Sequence, residues 1–198
     1  MSSSVIRSNT QNSVLSSDPV LIGPIASGKS TIAGILSEKL GAPVCCLDRV
    51  RWGYYQELGF DRSFAAEIRD REGFWGMYRY WKPFEIHAVE RVLQDYSDCI
   101  FDFGAGHSVY ENENFSGRLK AALAGYRNVI LLLPSAILNE SKTILESRKE
   151  WMSDGARSVN EHFLGSDSNS QVAKFTVYTK DATANQTASE ILRLIEGD

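Results

Sequence analysis

The chain has 198 residues, of which 43% are hydrophobic and 23% are charged, proportions typical of a globular protein with one core. Its formal net charge of -4 disfavours a nucleic-acid-binding surface, which requires a basic face. No run of apolar residues approaches the roughly 18 that would span a bilayer. We therefore expect a single domain, a monomer or weak dimer, whose partners include neither nucleic acid nor a membrane.

The first 17 residues are rich in Ser, Asn and Thr and lack the apolar block of a secretory signal. We expect a disordered tail over residues 1–17 and a single folded domain over residues 18–198. The three cysteines do not form a disulfide framework, and two of them, Cys45 and Cys46, are adjacent. All three lie in apolar runs, which predicts buried thiols and a cytoplasmic location.

Short apolar runs alternate with segments of helical periodicity, which is the pattern of βαβ units around a parallel sheet. The first predicted helix carries Ile32, Ile35, Leu36 and Leu40 on one face and ends at Gly41. Further helices are predicted before the third strand, after the fourth and at the C-terminus. The sequence thus predicts a three-layer α/β fold with a parallel five-stranded sheet, with strands expected at residues 19–22, 44–47, 99–103, 129–133 and 175–178.

The segment between the first strand and the first helix reads Gly-Pro-Ile-Ala-Ser-Gly-Lys-Ser over residues 23–30. It fits the P-loop pattern, in which backbone N–H groups and the positive end of the helix face phosphate oxygens. In this pattern Lys29 reaches the β- and γ-phosphates, and the Ser30 hydroxyl binds Mg²⁺. The sequence therefore predicts a site for ATP and Mg²⁺, and nucleotide contacts are expected at Gly23, Ala26, Ser27, Gly28, Lys29, Ser30 and Thr31.

A P-loop predicts that the protein binds phosphates, but it does not predict which reaction the protein catalyses. The chain lacks the Asn-Lys-x-Asp signature of GTPases, and no added segment is long enough for a motor domain. A compact P-loop domain with a polar late insertion is typical of a small-molecule or nucleotide kinase.

The chain resembles the shikimate kinases, a branch of the nucleoside monophosphate kinase-like fold. The resemblance extends from about residue 18 to the C-terminus. It depends on the P-loop, on Leu-Asp at residues 47–48, on Gly-Ala-Gly at residues 104–106 and on Val-Tyr-Thr at residues 177–179. It implies an ATP- and Mg²⁺-dependent kinase with a small helical acceptor-binding segment at residues 50–84 and a lid at residues 151–171.

On the nucleotide side, the resemblance places Arg148 at the end of the helix before the lid and Thr179 in the loop beside the base. The family's Arg and Pro in that loop correspond to Ala182 and Ala184. The contact with the base is therefore expected to differ from that of the family.

The acids at the end of the second strand differ from the family pattern. Asp48 matches the second acid of the family's Asp-x-Asp, which touches the acceptor hydroxyl, whereas Cys46 stands in place of the first. Asp48 is the candidate catalytic base, and its alternative is a helix cap or an ion pair with Arg49 or Arg51. Asp102 ends the third strand, where it either orders Mg²⁺ and replaces the acid missing at Cys46, or pairs with a lysine.

Further candidate acceptor contacts follow from the resemblance. Gly104, Ala105 and Gly106 match glycines with which the family helps to hold its acceptor. Arg79 stands nearest to the family's acceptor-binding arginine, although the next acid, Glu85, follows six residues later rather than three. Arg79 is expected either to bind an anionic or hydroxylated acceptor or to stack on an aromatic ring.

The lid lacks the family's Arg-Pro-Leu, and Arg157 is its candidate catalytic arginine, with a solvated loop charge as the alternative. His107 is expected either to line the pocket or to be structural. Residues 50–84 are crowded with aromatic side chains, most of them predicted to be core, and such rings suit a planar or ring-shaped acceptor.

The sequence predicts transfer of the γ-phosphoryl group of ATP to a hydroxyl of a small-molecule acceptor other than shikimate. Two alternatives remain open. One is a nucleoside or nucleotide kinase in which the aromatic rings stack on a base. The other is a slow ATPase that acts as a nucleotide-binding regulatory protein.

Overall fold

A computed structural model describes residues 16–148 and 154–197, and of residues 154–158 it describes the backbone alone. Its strands are β1 (Val20–Ile22), β2 (Val44–Cys46), β3 (Ile100–Asp102), β4 (Val129–Leu133) and β5 (Phe175–Tyr178). They form one parallel sheet in the spatial order β2-β3-β1-β4-β5. The predicted five-stranded parallel sheet is confirmed, because each predicted run contains one of these strands.

Helices cover both faces of the sheet. The described helices are α1 (Lys29–Leu40), α2 (Leu47–Glu57), α3 (Arg62–Asp95), α4 (Glu113–Leu123), α5 (Leu138–Ser147), α6 (Asp154–Gly165), α7 (Ser168–Val172) and α8 (Ala184–Glu196), together with a short 3-10 helix over Ala105–Ser108. Since successive strand residues point to opposite faces, Leu21 and Ile130 pack against α1 and α8, whereas Val20 and Leu131 share a core with residues of α2, α3 and α4. The predicted three-layer α/β architecture is confirmed.

The aromatic segment at residues 50–84 forms α2 and the first two thirds of α3. Gly73, with φ 70° and ψ -168°, interrupts the regular geometry of α3. Phe60 lies at the centre of a ring cluster, with its centroid 5.0 Å from that of Phe84 and 5.2 Å from that of Tyr55. These three rings are buried, whereas Phe64 and Trp75 are exposed, so this segment combines core packing with surface rings.

Two predicted segments fall partly outside the described residues. Residues 1–15 of the predicted tail lie outside them. Ser16 is hydrogen-bonded to the segment that precedes β4. Its N–H donates to the Gly125 carbonyl at 2.7 Å, and its carbonyl accepts from Arg127 N–H at 3.2 Å. The folded part therefore begins before residue 18. Of the predicted lid, residues 151–153 lie outside the description, and the remainder forms α6 and α7, with Val159 and Phe163 of α6 buried against Tyr78 of α3.

Among the described residues, none of the helices combines the length and the apolarity required to cross a bilayer.

Candidate functional site

The P-loop lies between the carboxyl end of β1 and the start of α1. Gly23 has a φ of 138°, and a Cβ atom at this position would lie 2.5 Å from the carbonyl oxygen of Leu132. A side chain is therefore excluded at Gly23 by both its backbone conformation and the approach of β4. Ala26 also has a positive φ, of 66°, so the loop is tightly curled ahead of α1.

Lys29 is the first residue of α1 and is buried, with 8% of its surface exposed. Its Nζ donates hydrogen bonds to the carbonyl oxygens of Gly23 and Pro24, each at 2.9 Å. The ammonium group is thereby held on the loop itself, where the sequence predicted that it would meet phosphates.

A cavity of about 280 Å³, here called the P-loop cavity, lies on one side of this loop. It is lined by residues from three separate elements, among them Ala26, Ser27, Gly28, Thr31, Arg148 and Thr179. The Arg148 guanidinium donates to the Ala26 carbonyl at 3.2 Å and to Thr179 Oγ1 at 3.4 Å. Burial lowers the pKa of Arg148, which remains far above neutrality as for arginines generally. The structure thus brings most of the predicted nucleotide-binding residues around one cavity.

Asp102 occupies the carboxyl end of β3 and is almost fully buried. In the parallel register its Cα pairs with Leu21 on one side and with Cys46 on the other. Burial raises the pKa of its carboxyl, against the opposing effects of a hydrogen bond with the Ser30 side chain and of the Lys29 charge. Asp102 therefore lies between the P-loop and the carboxyl end of β2, where the charge of Lys29 acts on its carboxyl.

Ser30 and Asp102 supply two oxygen ligands of the kind that Mg²⁺ prefers, and they lie close enough for the Ser30 hydroxyl to lower the pKa of Asp102. Among the described residues, no group of three or more His, Cys, Asp or Glu side chains forms a metal site by itself. This donor set fits a Mg²⁺ ion that keeps several waters and shares phosphate oxygens rather than one enclosed by protein.

Asp48 lies in the first turn of α2, and its Oδ1 is 3.1 Å from Arg51 Nη1. The ion pair proposed as its alternative role is therefore formed. The carboxylate also lies against residues 104–106, here called the glycine turn. A Cβ atom at Gly104 would be 2.4 Å from Asp48 Oδ1 and 2.6 Å from His107 Nδ1. Gly104 is thus required for the close approach of both side chains.

A second cavity, of about 250 Å³, lies on the other side of the P-loop and is here called the aromatic cavity. Its polar lining comes from Asp48, Arg51, Trp81, Glu85, Gly106 and His107. Its apolar lining comes from Ile25, Phe74, Tyr78, Ala105, Val159 and Phe163. Predicted acceptor residues Asp48, Ala105 and Gly106 therefore meet here, together with residues of the predicted lid.

Arg79 is not among the residues that line the aromatic cavity. Its side chain is 65% exposed and lies 3.4 Å from Glu72 Oε2 on the outside of α3. The cation on the inner side of α3 is Lys82, whose Nζ donates to Glu85 Oε2 at 2.7 Å and to the carbonyls of Gly106 and Val109 at 2.9 and 3.0 Å. Lys82 is not among the lining residues either, but it is hydrogen-bonded to two of them, Glu85 and Gly106, so a buried lysine rather than an arginine lies directly beneath the cavity. The signal in the sequence was the three-residue spacing from Lys82 to Glu85, which matches the family's spacing.

Burial and neighbouring charges shift the pKa values of Glu85 and His107, which line the aromatic cavity. Burial alone would raise the pKa of Glu85, but the charges around it, led by that of Lys82, together hold this pKa below its usual range. Burial lowers the pKa of His107, so its imidazole is uncharged at neutral pH. Arg157 lies in α6, and its side chain is outside the described part of the chain. Its catalytic role stays a prediction.

Comparison with known proteins gives a consistent picture of the fold. No model of a known protein family matches the chain. It is similar to the shikimate kinase of Vibrio campbellii, with 26% identity over 180 residues that cover 89% of this chain and 94% of the relative. It superposes on the shikimate kinase of Acinetobacter baumannii in complex with shikimate with a TM-score of 0.63, at 18% identity and over 90% of this chain and 92% of that one.

A gluconokinase from Sinorhizobium meliloti 1021 superposes with a TM-score of 0.52, at 11% identity and over 90% of this chain and 94% of that one. These comparisons and the parallel sheet with its P-loop place the chain in the class of P-loop kinase folds. Within that class its fold is shikimate kinase-like.

The close approach at Gly104 can be tested by Gly104→Ala. The added Cβ would collide with Asp48 and His107, so we expect the free energy of unfolding to fall by about 1–3 kcal/mol. The matched control is Gly117→Ala in the middle of α4, where a Cβ meets nothing within 4 Å. That change should raise the free energy of unfolding by about 0.5–1 kcal/mol through helix propensity. Urea denaturation measures both, and wild-type stability in Gly104→Ala would contradict the described packing.

Proposed function

We propose that the protein is a kinase that transfers the γ-phosphoryl group of ATP to a hydroxyl of a small-molecule acceptor, with Mg²⁺ as cofactor. The observation that carries this proposal is the placement of the two cavities. Ile25 lines the aromatic cavity, and the next residue, Ala26, lines the P-loop cavity. A nucleotide and an acceptor bound in these cavities would meet across the P-loop. The relatives found by comparison are small-molecule kinases, which supports the same reaction.

The nucleotide side of this proposal depends on backbone as much as on side chains. The curled loop and the N-terminus of α1 present N–H groups and a partial positive charge to phosphate oxygens. Lys29 contributes a full charge where negative charge gathers on the transferred group. Arg148 and Thr179 border the nucleotide at the far side of the P-loop cavity. Mg²⁺, held by Ser30 and Asp102, would neutralise phosphate charge and fix the phosphates in place.

On the acceptor side, Asp48 is the group best placed to orient the attacking hydroxyl and to accept its proton. Its carboxylate is 54% exposed, lines the aromatic cavity and lies near Asp102 and the P-loop. The ion pair with Arg51, at 3.1 Å, limits the rotation of the Asp48 side chain. Transfer then needs the hydroxyl in line with the γ-phosphorus, a geometry that the cavity walls would impose.

We further propose that Asp102 takes the part of the acid that is missing at Cys46. The two residues are cross-strand neighbours in β3 and β2, and neighbouring strands lie about 4.8 Å apart. A carboxylate on either strand can therefore reach nearly the same point above the sheet. The interaction of the Asp102 carboxylate with the Ser30 hydroxyl, which lowers the pKa of Asp102, supports this position.

Replacing the P-loop lysine tests the reaction itself. Lys29→Met should lower ATP turnover by about a hundredfold or more, because the transition state loses its charge partner. The matched control is Lys39→Met at the exposed C-terminal end of the same helix, which should leave turnover unchanged. Circular dichroism establishes that both variants are folded. Near wild-type turnover in Lys29→Met would show that the P-loop is not the catalytic nucleotide site.

If Asp102 replaces the acid missing at position 46, an aspartate introduced at position 46 should restore activity that is lost when Asp102 is removed. Asp102→Ala should lower kcat by about 10- to 100-fold. Adding Cys46→Asp in the same chain should recover at least about tenfold, since it restores a carboxylate at the neighbouring position. Cys46→Ser added to Asp102→Ala is the control and should recover nothing. If Cys46→Asp restores no more than Cys46→Ser, Asp102 does not replace an acid at position 46.

Shikimate itself is expected to be a poor acceptor. Among the described residues, Arg51 at the aromatic cavity is already paired with Asp48, and Lys82 beneath the cavity is paired with Glu85. Binding a carboxylate there would break one of these pairs and leave a charge uncompensated, which costs several kcal/mol when the site is buried. We expect no saturable rise in ADP release with millimolar shikimate over a no-acceptor control. The Vibrio campbellii shikimate kinase serves as the positive control, and stimulation comparable to that enzyme would overturn this expectation.

A further inference from the structure

Three buried nitrogen atoms on residues that line the aromatic cavity have no hydrogen-bond partner among the described residues. They are Trp81 Nε1, Arg51 Nε and His107 Nδ1. All three residues line the same cavity, and His107 is 99% buried as a residue. Unpaired buried polar atoms are rare in native proteins because each costs about 1–3 kcal/mol. Their concentration in one cavity indicates that its occupant supplies their partners.

Among the described residues, the cations at and directly beneath the cavity already have partners. Lys82 has three N–H donors, and its three hydrogen bonds go to Glu85 and to the carbonyls of Gly106 and Val109. Arg51 is paired with Asp48, and its guanidinium stacks 4.7 Å from the centre of the Trp52 ring. Of the described residues, Arg51 and Lys82 thus balance the charges of Asp48 and Glu85. An anionic ligand would face the carboxylates of Asp48 and Glu85 without a compensating charge.

The nitrogens specify which atoms the ligand presents. Trp81 Nε1 and Arg51 Nε can only donate, so they require oxygen or nitrogen acceptors on the ligand. His107 Nδ1 donates or accepts according to the tautomer, because its other nitrogen, Nε2, lies 3.5 Å from the Tyr55 hydroxyl. A hydroxyl group on the ligand can satisfy His107 in either tautomer.

We infer, on the basis of the kinase activity proposed above, that the acceptor is an uncharged ring compound. Its oxygen atoms accept hydrogen bonds from Trp81 Nε1 and Arg51 Nε, and one hydroxyl pairs with His107 Nδ1. Phe74, Tyr78 and Phe163 enclose the ring. The 250 Å³ volume equals about eight water molecules at roughly 30 Å³ each, which suits one substituted ring better than the linked rings of a nucleoside.

Matched pairs of ring compounds test this inference on the full-length protein with a non-hydrolysable ATP analogue present. Each pair shares a hydroxylated ring and differs in one group: 3-hydroxybenzamide against 3-hydroxybenzoate, and methyl shikimate against shikimate. Saturation-transfer NMR with titration should show that the uncharged member binds about tenfold or more tightly in each pair. Equal or tighter binding of the anionic members would overturn the inference, as would a lack of binding by all four.

The indole of Trp81 provides a local probe. Trp81→Phe keeps an aromatic ring but removes the donor, and it should weaken binding of the uncharged probes about tenfold. Trp75→Phe, on the same helix but outside the cavity lining, is the matched control and should change binding less than twofold. In ¹⁵N-tryptophan-labelled protein, the indole N–H signal that is absent from Trp81→Phe should shift when the probe binds. Unchanged affinity in Trp81→Phe together with an unshifted signal would overturn the role of this nitrogen.

The inference and the proposed reaction fail separately. A preference for uncharged rings combined with full ATP turnover in Lys29→Met would reject the P-loop kinase and leave the cavity assignment standing. Loss of turnover in Lys29→Met combined with tighter binding of the anionic probes would reject the uncharged acceptor and leave the kinase standing.

Discussion

β3 lies between β1 and β2 in parallel register, so that Asp102 pairs with Leu21 on one side and with Cys46 on the other. Every element of the candidate site depends on this arrangement, because parallel strands bring their carboxyl ends to one edge of the sheet. The P-loop continues from β1, Asp48 follows β2, and the glycine turn follows β3. A shift of β3 by one residue would turn Asp102 to the other face of the sheet and separate it from Ser30.

The buried pair of Lys82 and Glu85 has a comparable role on the acceptor side. Two charges buried in this way are weak evidence for stability, since the cost of desolvation can exceed their attraction. Here the ammonium also binds the carbonyls of Gly106 and Val109, which fixes the 3-10 turn against α3. A Cβ atom at Gly106 would lie 3.0 Å from Glu85 Oε1, so the turn is packed directly on this pair. The geometric effect of the pair is to hold His107 at the cavity.

The sheet and the P-loop could be predicted from the sequence because their signals are local. Apolar runs of strand length identify buried parallel strands, and the glycine and lysine spacing of the P-loop reflects backbone constraints within eight residues. The acceptor side could not be predicted in the same way. Arg79 and Lys82 lie three residues apart in an aromatic helix that Gly73 interrupts, and helical periodicity does not determine which of them is buried. That choice depends on long-range contacts of Lys82 with Gly106 and Val109, which no local pattern records.

This difference has a physical basis. P-loops bind phosphates largely through backbone N–H groups and a helix N-terminus, which persist as long as the loop keeps its conformation. The proposed acceptor site consists instead of side chains on α2, α3 and residues 104–107, where one substitution exchanges a cation, a ring or a donor without altering the fold. The positions of Asp102 and Cys46 extend this reasoning to the sheet itself. Because two neighbouring strands end at the same edge, an acid can move from one strand to the other while its carboxylate stays close to the same place.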